Sequence, residues 1–228
     1  MGLIVKICGL SSEETIDAAL DAGADMIGLV LFPKSPRSVA VARAAALAER
    51  ARGRAEIVAL TVDMDDGELA SVARTLKPDW LQMHGSESVE AVEAARSSLG
   101  VKVMKALPVS TSADLDRASR YAAVADRLLL DAKPPKGADR PGGHGRPFDW
   151  TLLRGFTAPV PYLLSGGLTP QNVEEAVRIS GAPGVDVSSG VETAPGKKDP
   201  DLIRAFVAAA RRAGASLPQG RMPERVAL

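Results

Sequence analysis

Residues 3–32 read Leu-Ile-Val-Lys-Ile-Cys-Gly-Leu-Ser-Ser-Glu-Glu-Thr-Ile-Asp-Ala-Ala-Leu-Asp-Ala-Gly-Ala-Asp-Met-Ile-Gly-Leu-Val-Leu-Phe, and the way this stretch divides decides the fold. Leu3 to Cys8 and Asp25 to Leu31 are short, nearly continuous apolar runs, as expected of strands covered on both faces in a parallel sheet. Between them, from Ser12, lies an Ala-rich segment opened by a hydroxyl cap and acidic residues, the signature of a helix start. Strand, helix, strand is the unit that joins parallel neighbours, because a parallel pair needs a crossover. The same unit repeats along the chain. Further strands are expected at Glu56 to Val62, Asp79 to Met83, Lys102 to Leu107, Arg127 to Asp131, Tyr162 to Ser165 and Gly184 to Val187, with helices beginning near Ser12, Val39, Asp65, Ser86, Ser112, Trp150, Pro170 and Pro200. Eight such units predict an α/β fold, a single closed (βα)8 barrel of eight parallel strands. The competing architecture is an open doubly wound sheet. The first strand-to-helix turn, Cys8-Gly9-Leu10-Ser11, lacks the glycine fingerprint by which such a sheet holds a dinucleotide. The barrel is expected over residues 1–212, and residues 213–228, which hold Pro218, Gly220 and Pro223 without a helical period, are expected to form a flexible tail.

Composition narrows the function. The 228 residues are 46% hydrophobic and 25% charged, the balance of a folded soluble protein. Lys plus Arg and Asp plus Glu each number 28, so no global field favours nucleic acid or a membrane surface, and any anion site is local. No apolar run approaches the ~18 residues a membrane span requires. Cys8 is the one cysteine, which excludes an internal disulfide and a multi-thiolate metal cluster, so a cytoplasmic setting is expected. The histidines have no Cys, Asp or Glu at ligand spacing, so no metal is expected. Monomer is the default, with a dimer open.

In a barrel the C-terminal strand ends and the loops after them build the site. Lys6 and Cys8 share a face of the first strand; an ammonium beneath the thiol would favour thiolate and make Cys8 a base or nucleophile. The alternative is a small buried hydrophobe. Asp131 closes an apolar strand and is a candidate acid; the alternatives are a helix cap or a partner for Lys133, although the prolines that follow argue against a helix there. Arg37 stands between prolines after the second strand, where it could grip a carboxylate two-pronged or be a solvated surface residue. Gln82 and His84 point the same way from the fourth strand, and His84 could orient a ligand or act as a base. Gly166 and Gly167 follow the seventh strand, and Ser188, Ser189 and Gly190 follow the eighth. Two such adjacent turns point to a phosphate cradle; the alternative is two ordinary glycine-rich turns. The glycine-rich stretch 137–149 could fold over a ligand as a lid or be a plain disordered loop.

Taken together, Lys6 to Leu10, Phe32 to Arg37, Gln82 to Gly85, Leu130-Asp131, Gly142 to Trp150, Ser165 to Leu168 and Asp186 to Glu192 resemble the phosphoribosylanthranilate isomerases of tryptophan biosynthesis, over essentially residues 3–212. The resemblance implies a cofactor-free Amadori rearrangement of a small phosphosugar. It matches Asp131 to the family's general acid, Cys8 to its general base and Arg37 to the residue that holds the anthranilate carboxylate. It also matches Gly166, Gly167, Ser188, Ser189 and Gly190 to the phosphate site, with His84 and Asp186 as substrate contacts. Ser38, His144 and Ser165 depart from the family pattern as we read it. Arg37 is the one candidate anion-binder in the first-half loops, so a substrate with a single phosphate is expected.

Overall fold

The computed structural model describes residues 2–217 apart from 136, 139, 140, 144 and 146. The barrel strands are β1 (Ile4–Cys8), β2 (Met26–Val30), β3 (Glu56–Thr61), β4 (Trp80–Met83), β5 (Lys102–Val109), β6 (Arg127–Ala132), β7 (Tyr162–Leu164) and β8 (Gly184–Val187). They hydrogen-bond in sequence order as a closed barrel, all pairs parallel, and β8 closes onto β1 with Lys6 opposite Asp186. The helices are α1 (Glu13–Asp21), α2 (Val41–Ala48), α3 (Asp66–Leu76), α4 (Val89–Leu99), α5 (Ser112–Asp116), α6 (Ala118–Ala122), α7 (Val173–Ser180) and α8 (Pro200–Ala215). A short hairpin, β9 (Glu192–Ala194) and β10 (Lys197–Lys198), follows β8.

Two expectations are corrected. The helix expected from Trp150 is one 3-10 turn, Trp150–Leu153. Asp149 caps it through Thr151 N–H, but Gly155 turns the chain at positive φ, and Pro159 and Pro161 cannot continue a helix. The helix expected from Ser112 breaks into α5 and α6 at Arg117. At the other end of the chain, α8 runs on to Ala215, past the expected end of the barrel at residue 212. Of the expected tail, residues 218–228 lie outside the described residues.

Period-2 alternation sorts the strand residues into two cores. Val5, Ile7, Ile27, Leu29, Leu128 and Leu130 face the helices in one large apolar layer. Ile4, Met26, Val58, Trp80, Met104, Leu129 and Leu163 fill the floor of the barrel interior. Cys8, Val30 and Leu60 form a small apolar group nearer the mouth. Between floor and mouth, the inward positions are polar and buried: Lys6, Gln82 and Asp186 are 0%, 0% and 4% exposed. Charge in a barrel interior is costly unless paired, so this layer is where the sequence departs from a purely structural core. No described helix is long and apolar enough to cross a membrane.

Candidate active site

The strand C-termini open into one cleft. Cys8 of β1 and Asp131 of β6 both line it, as do Arg37, His84 and Asp186. Gly166, Gly167, Ser188 and Ser189 complete the far wall. Gly190 stands outside that lining. A Cβ there would fall 1.8 Å from the Leu168 carbonyl oxygen, so its missing side chain lets the turn after β8 pack backbone-to-backbone on the turn after β7.

Asp131 is held from two sides. Its Oδ1 accepts from Ala132 N–H at 2.8 Å, and its Oδ2 lies 3.2 Å from His84 Nε2. On the other edge of that ring, Gln82 Nε2 stands 2.8 Å from His84 Nδ1, as the shared face of β4 leads one to expect. The alternative partner for Asp131, Lys133, instead lies 3.9 Å from Asp114. The described part of the glycine-rich stretch passes directly above, since a Cβ on Gly142 would sit 2.7 Å from Asp131 Oδ2. His144 of the same stretch lies outside the described residues. Gly166 adopts φ +86°, and a Cβ there would meet Ala132 N at 2.5 Å and Asp131 Oδ1 at 3.0 Å. Only glycine takes this conformation freely, and here it also brings bare backbone against the acid's strand.

Across the cleft, Lys6 Nζ donates to Asp186 Oδ1 at 2.7 Å, and Ser165 Oγ lies 3.0 Å from Asp186 Oδ2. Burial alone would pull the Lys6 ammonium down, but Asp186, with Cys8 assisting, outweighs it and holds Lys6 above its ordinary value. The reading of Cys8 is corrected in sign. Burial pushes its thiol up and is only partly opposed by Lys6 and Lys198. Asp186, already paired with Lys6, adds to the effect of burial by disfavouring a second negative charge on sulfur.

Arg37 is 4% exposed, not a solvated surface residue. Its Nε and Nη2 bind Glu192 Oε1 and Oε2 at 2.7 and 2.8 Å, which leaves the Nη1 side turned to the cleft near Gly143. Lys198 binds the same Glu192 Oε1 at 2.7 Å and the Ser188 carbonyl at 2.9 Å. Burial lowers Lys198, and Glu192 acts against that. Burial pushes Glu192 up, but Arg37 and Lys198 overcome it and hold the carboxyl below its ordinary value. Two cations thus share one carboxylate beside the cleft, a locally positive wall suited to an anion. Reading the chain alone did not find Glu192 or Lys198 as parts of the site. Glu192 closes the Asp186–Glu192 stretch without being a candidate itself, and Lys198 belongs to a lysine pair before a helix cap, which reads as surface. Among the described residues, no group of three or more His, Cys, Asp and Glu is placed to share a metal ion.

Residues 5–209 match the family model described as "N-(5'phosphoribosyl)anthranilate (PRA) isomerase". An N-(5'-phosphoribosyl)anthranilate isomerase of Rhodopseudomonas palustris strain BisB18 is 61% identical over 211 residues, 92% of this chain and 97% of the relative. That of Afipia carboxidovorans is 58% identical over 216 residues, 95% of this chain and 92% of the relative. Among solved structures, the phosphoribosyl anthranilate isomerase of Thermotoga maritima superposes with a TM-score of 0.82 at 34% identity, covering 92% of this chain and 99% of that one. A structure of such an isomerase in complex with reduced 1-(o-carboxyphenylamino)-1-deoxyribulose 5-phosphate gives 0.79 at 32% identity with the same coverage. Sequence, closed barrel and the cleft at its C-terminal face agree, and the chain belongs to the phosphoribosylanthranilate isomerase family.

Proposed function

We propose that this chain converts N-(5'-phosphoribosyl)anthranilate into 1-(2-carboxyphenylamino)-1-deoxy-D-ribulose 5-phosphate by an Amadori rearrangement, with Asp131 as general acid and Cys8 as general base. One observation carries the assignment: Cys8 and Asp131 line the same cleft, flanked by the turns after β7 and β8. The Asp131 proton passes to the furanose ring oxygen, the C1–O bond breaks, and a C1=N iminium forms. The Cys8 thiolate then takes the C2 proton, and the electrons of that C–H bond form the enaminol and neutralise the nitrogen. Loss of the enol proton and protonation at C1 give the ketone. The proton on Cys8 returns through solvent to Asp131, so atoms and charges balance.

The remaining residues divide the substrate between them. The Nη1–Nη2 edge of Arg37 receives the anthranilate carboxylate, its other edge being fixed by Glu192. The turns at Gly166–Gly167 and Ser188–Gly190 receive the phosphate, with Lys198 on Ser188 adding positive charge behind the second turn. His84 and Asp186 border the sugar between acid and base. The substrate's anthranilate fluorescence reports the reaction. Adding the protein abolishes it, whereas Cys8→Ala and Asp131→Asn slow the loss by about 10² or more, the scale of a positioned acid or base. Full turnover by either variant overturns its assigned role, and an unchanged signal with the unmodified protein overturns the function.

A further inference from the structure

Gln82 is fully buried beneath His84, and its amide makes one polar contact among the described residues, Nε2 to His84 Nδ1 at 2.8 Å, while its Oε1 is buried without a partner. A Gln–His contact of this kind has two possible forms. Either the amide N–H donates to a bare Nδ1, or an Nδ1–H donates to the amide oxygen. The partner on the far side of the ring distinguishes them. His84 Nε2 faces Asp131 Oδ2 at 3.2 Å, and a bare Nε2 there would set two lone pairs against each other whenever Asp131 is ionised. The first form closes the chain: Gln82 N–H to Nδ1, then Nε2–H to the carboxylate. Leaving Gln82 Oε1 unpaired in the interior is unfavourable, and an apolar residue of the same size would avoid it, so this amide is present for its N–H.

We propose that Gln82 is a positioning residue of the isomerisation: it fixes His84 in the Nε2–H form, so that His84 donates to Asp131 and stabilises the carboxylate produced as Asp131 releases its proton. The inference rests on Asp131 being the acid. Ala132 N–H supports the other oxygen of the same carboxylate. As the proton leaves Asp131 for the substrate, negative charge therefore grows between two donors already in place, which is how a preorganised site lowers a barrier. His84 need not exchange a proton with substrate in this arrangement, and Gln82 need not touch it.

The chain has two histidines, so histidine-selective 15N labelling of the full chain gives a spectrum in which the resonances missing from His84→Gln belong to His84. At alkaline pH, His84 is expected to show a protonated Nε2 and a bare Nδ1. In Gln82→Met the ring is expected to become a mixture of tautomers, and kcat to fall about tenfold or more while KM changes less than about threefold, a fraction of what a positioned acid supplies. Gln82→Glu presents an acceptor to Nδ1 and is expected to move the proton there with a comparable loss in kcat. A wild-type His84 carrying its proton on Nδ1 overturns the proposal, with no variant needing to fold. Full kcat in Gln82→Met together with an altered tautomer overturns it as well. If Asp131→Asn turns over normally while the tautomer is as expected, the acid assignment is what fails.

Discussion

Cys8 shows how a single side chain is tuned by groups remote in sequence. Alternation along β1 places Lys6 under the sulfur, and that much is legible in residues 6–8 alone. The sign of the shift is not, because it is set first by burial inside the closed barrel, to which Asp186, 180 positions from Lys6 and paired with it at 2.7 Å, adds. With burial pushing the thiol up, thiolate is the minority form at neutral pH. The productive form pairs that thiolate with a protonated Asp131, so one proton is shared between acid and base, and kcat/KM, which reports the free enzyme, is expected to be level across neutral pH and to fall only where alkalinity strips the proton from Cys8. Removing the ammonium in Lys6→Met should move that alkaline fall to still higher pH and lower the plateau, and a pH–rate profile of both proteins checks it. An alkaline limb that stays in place in Lys6→Met would mean that the ammonium does not act on the sulfur. His84, Asp131 and Arg37 were likewise readable as polar groups at strand ends. Gln82 was equally readable on the face it shares with His84, and Ala132 follows Asp131 directly, whereas Glu192, the partner of Arg37, emerges only when the barrel brings different stretches together.

At the scale of elements, local chemistry predicts starts better than stops. Asp65 opens α3 with a full capping box, its side chain accepting from Glu68 N–H at 2.8 Å while Glu68 Oε2 accepts from Asp65 N–H at 3.2 Å, and that pattern is visible in Asp65-Asp66-Gly67-Glu68. Trp150 misleads because Asp149 offers an equally good cap, and only Gly155 and the prolines beyond show that no helix can grow. Ion pairs between elements carry less weight than caps. Glu13, Asp17 and Asp21 rise along α1 four residues apart and meet Arg43, Arg50 and Arg54. Arg43 holds Glu13 down at about 2, yet every member of this ladder is largely exposed, where entropy and solvent cancel most of the attraction. Asp65→Ala is expected to cost ~1 kcal/mol in urea unfolding. Arg50→Ala should leave the midpoint unmoved at physiological salt. An equal loss in both variants would mean that the ladder acts as a cooperative network.

For the whole molecule, α8 belongs with the barrel. The apolar layer around the barrel closes with Phe206, Val207, Ala209, Ala210 and Ala213 of α8, which packs on α1 and α7, and Leu217 adds a partly buried contact. We expect a chain ending after Leu217 to keep its unfolding midpoint and its turnover; a shift in either assigns the last residues a structural or functional part. Stability against pH is a second property of the whole, set by buried pairs far apart in sequence. Glu87 is pushed up by burial, but Lys105, 2.7 Å away, and backbone donors outweigh that and hold it low; Glu192 is held low likewise. A carboxyl depressed on folding adds stability that is complete above its ordinary value of 4.5 and disappears as pH falls below it. Lys6, held above 10.5, adds stability present below that value and lost as pH rises past it. The unfolding free energy should therefore fall on the acid side of 4.5, and on the alkaline side the loss begins before the Lys6 limit, because Cys8, raised from 9.0, opposes folding once the unfolded thiol ionises. Because the pairs are buried, the acid limb should survive high salt, which screens exposed charges far more strongly. Lys105→Met, which strands Glu87 without its cation, should cost ~3–5 kcal/mol at neutral pH. The same variant should cost less at acid pH, where Glu87 is protonated. A cost that stays constant from pH 7 to pH 4 would show that Lys105 matters for packing and not for charge.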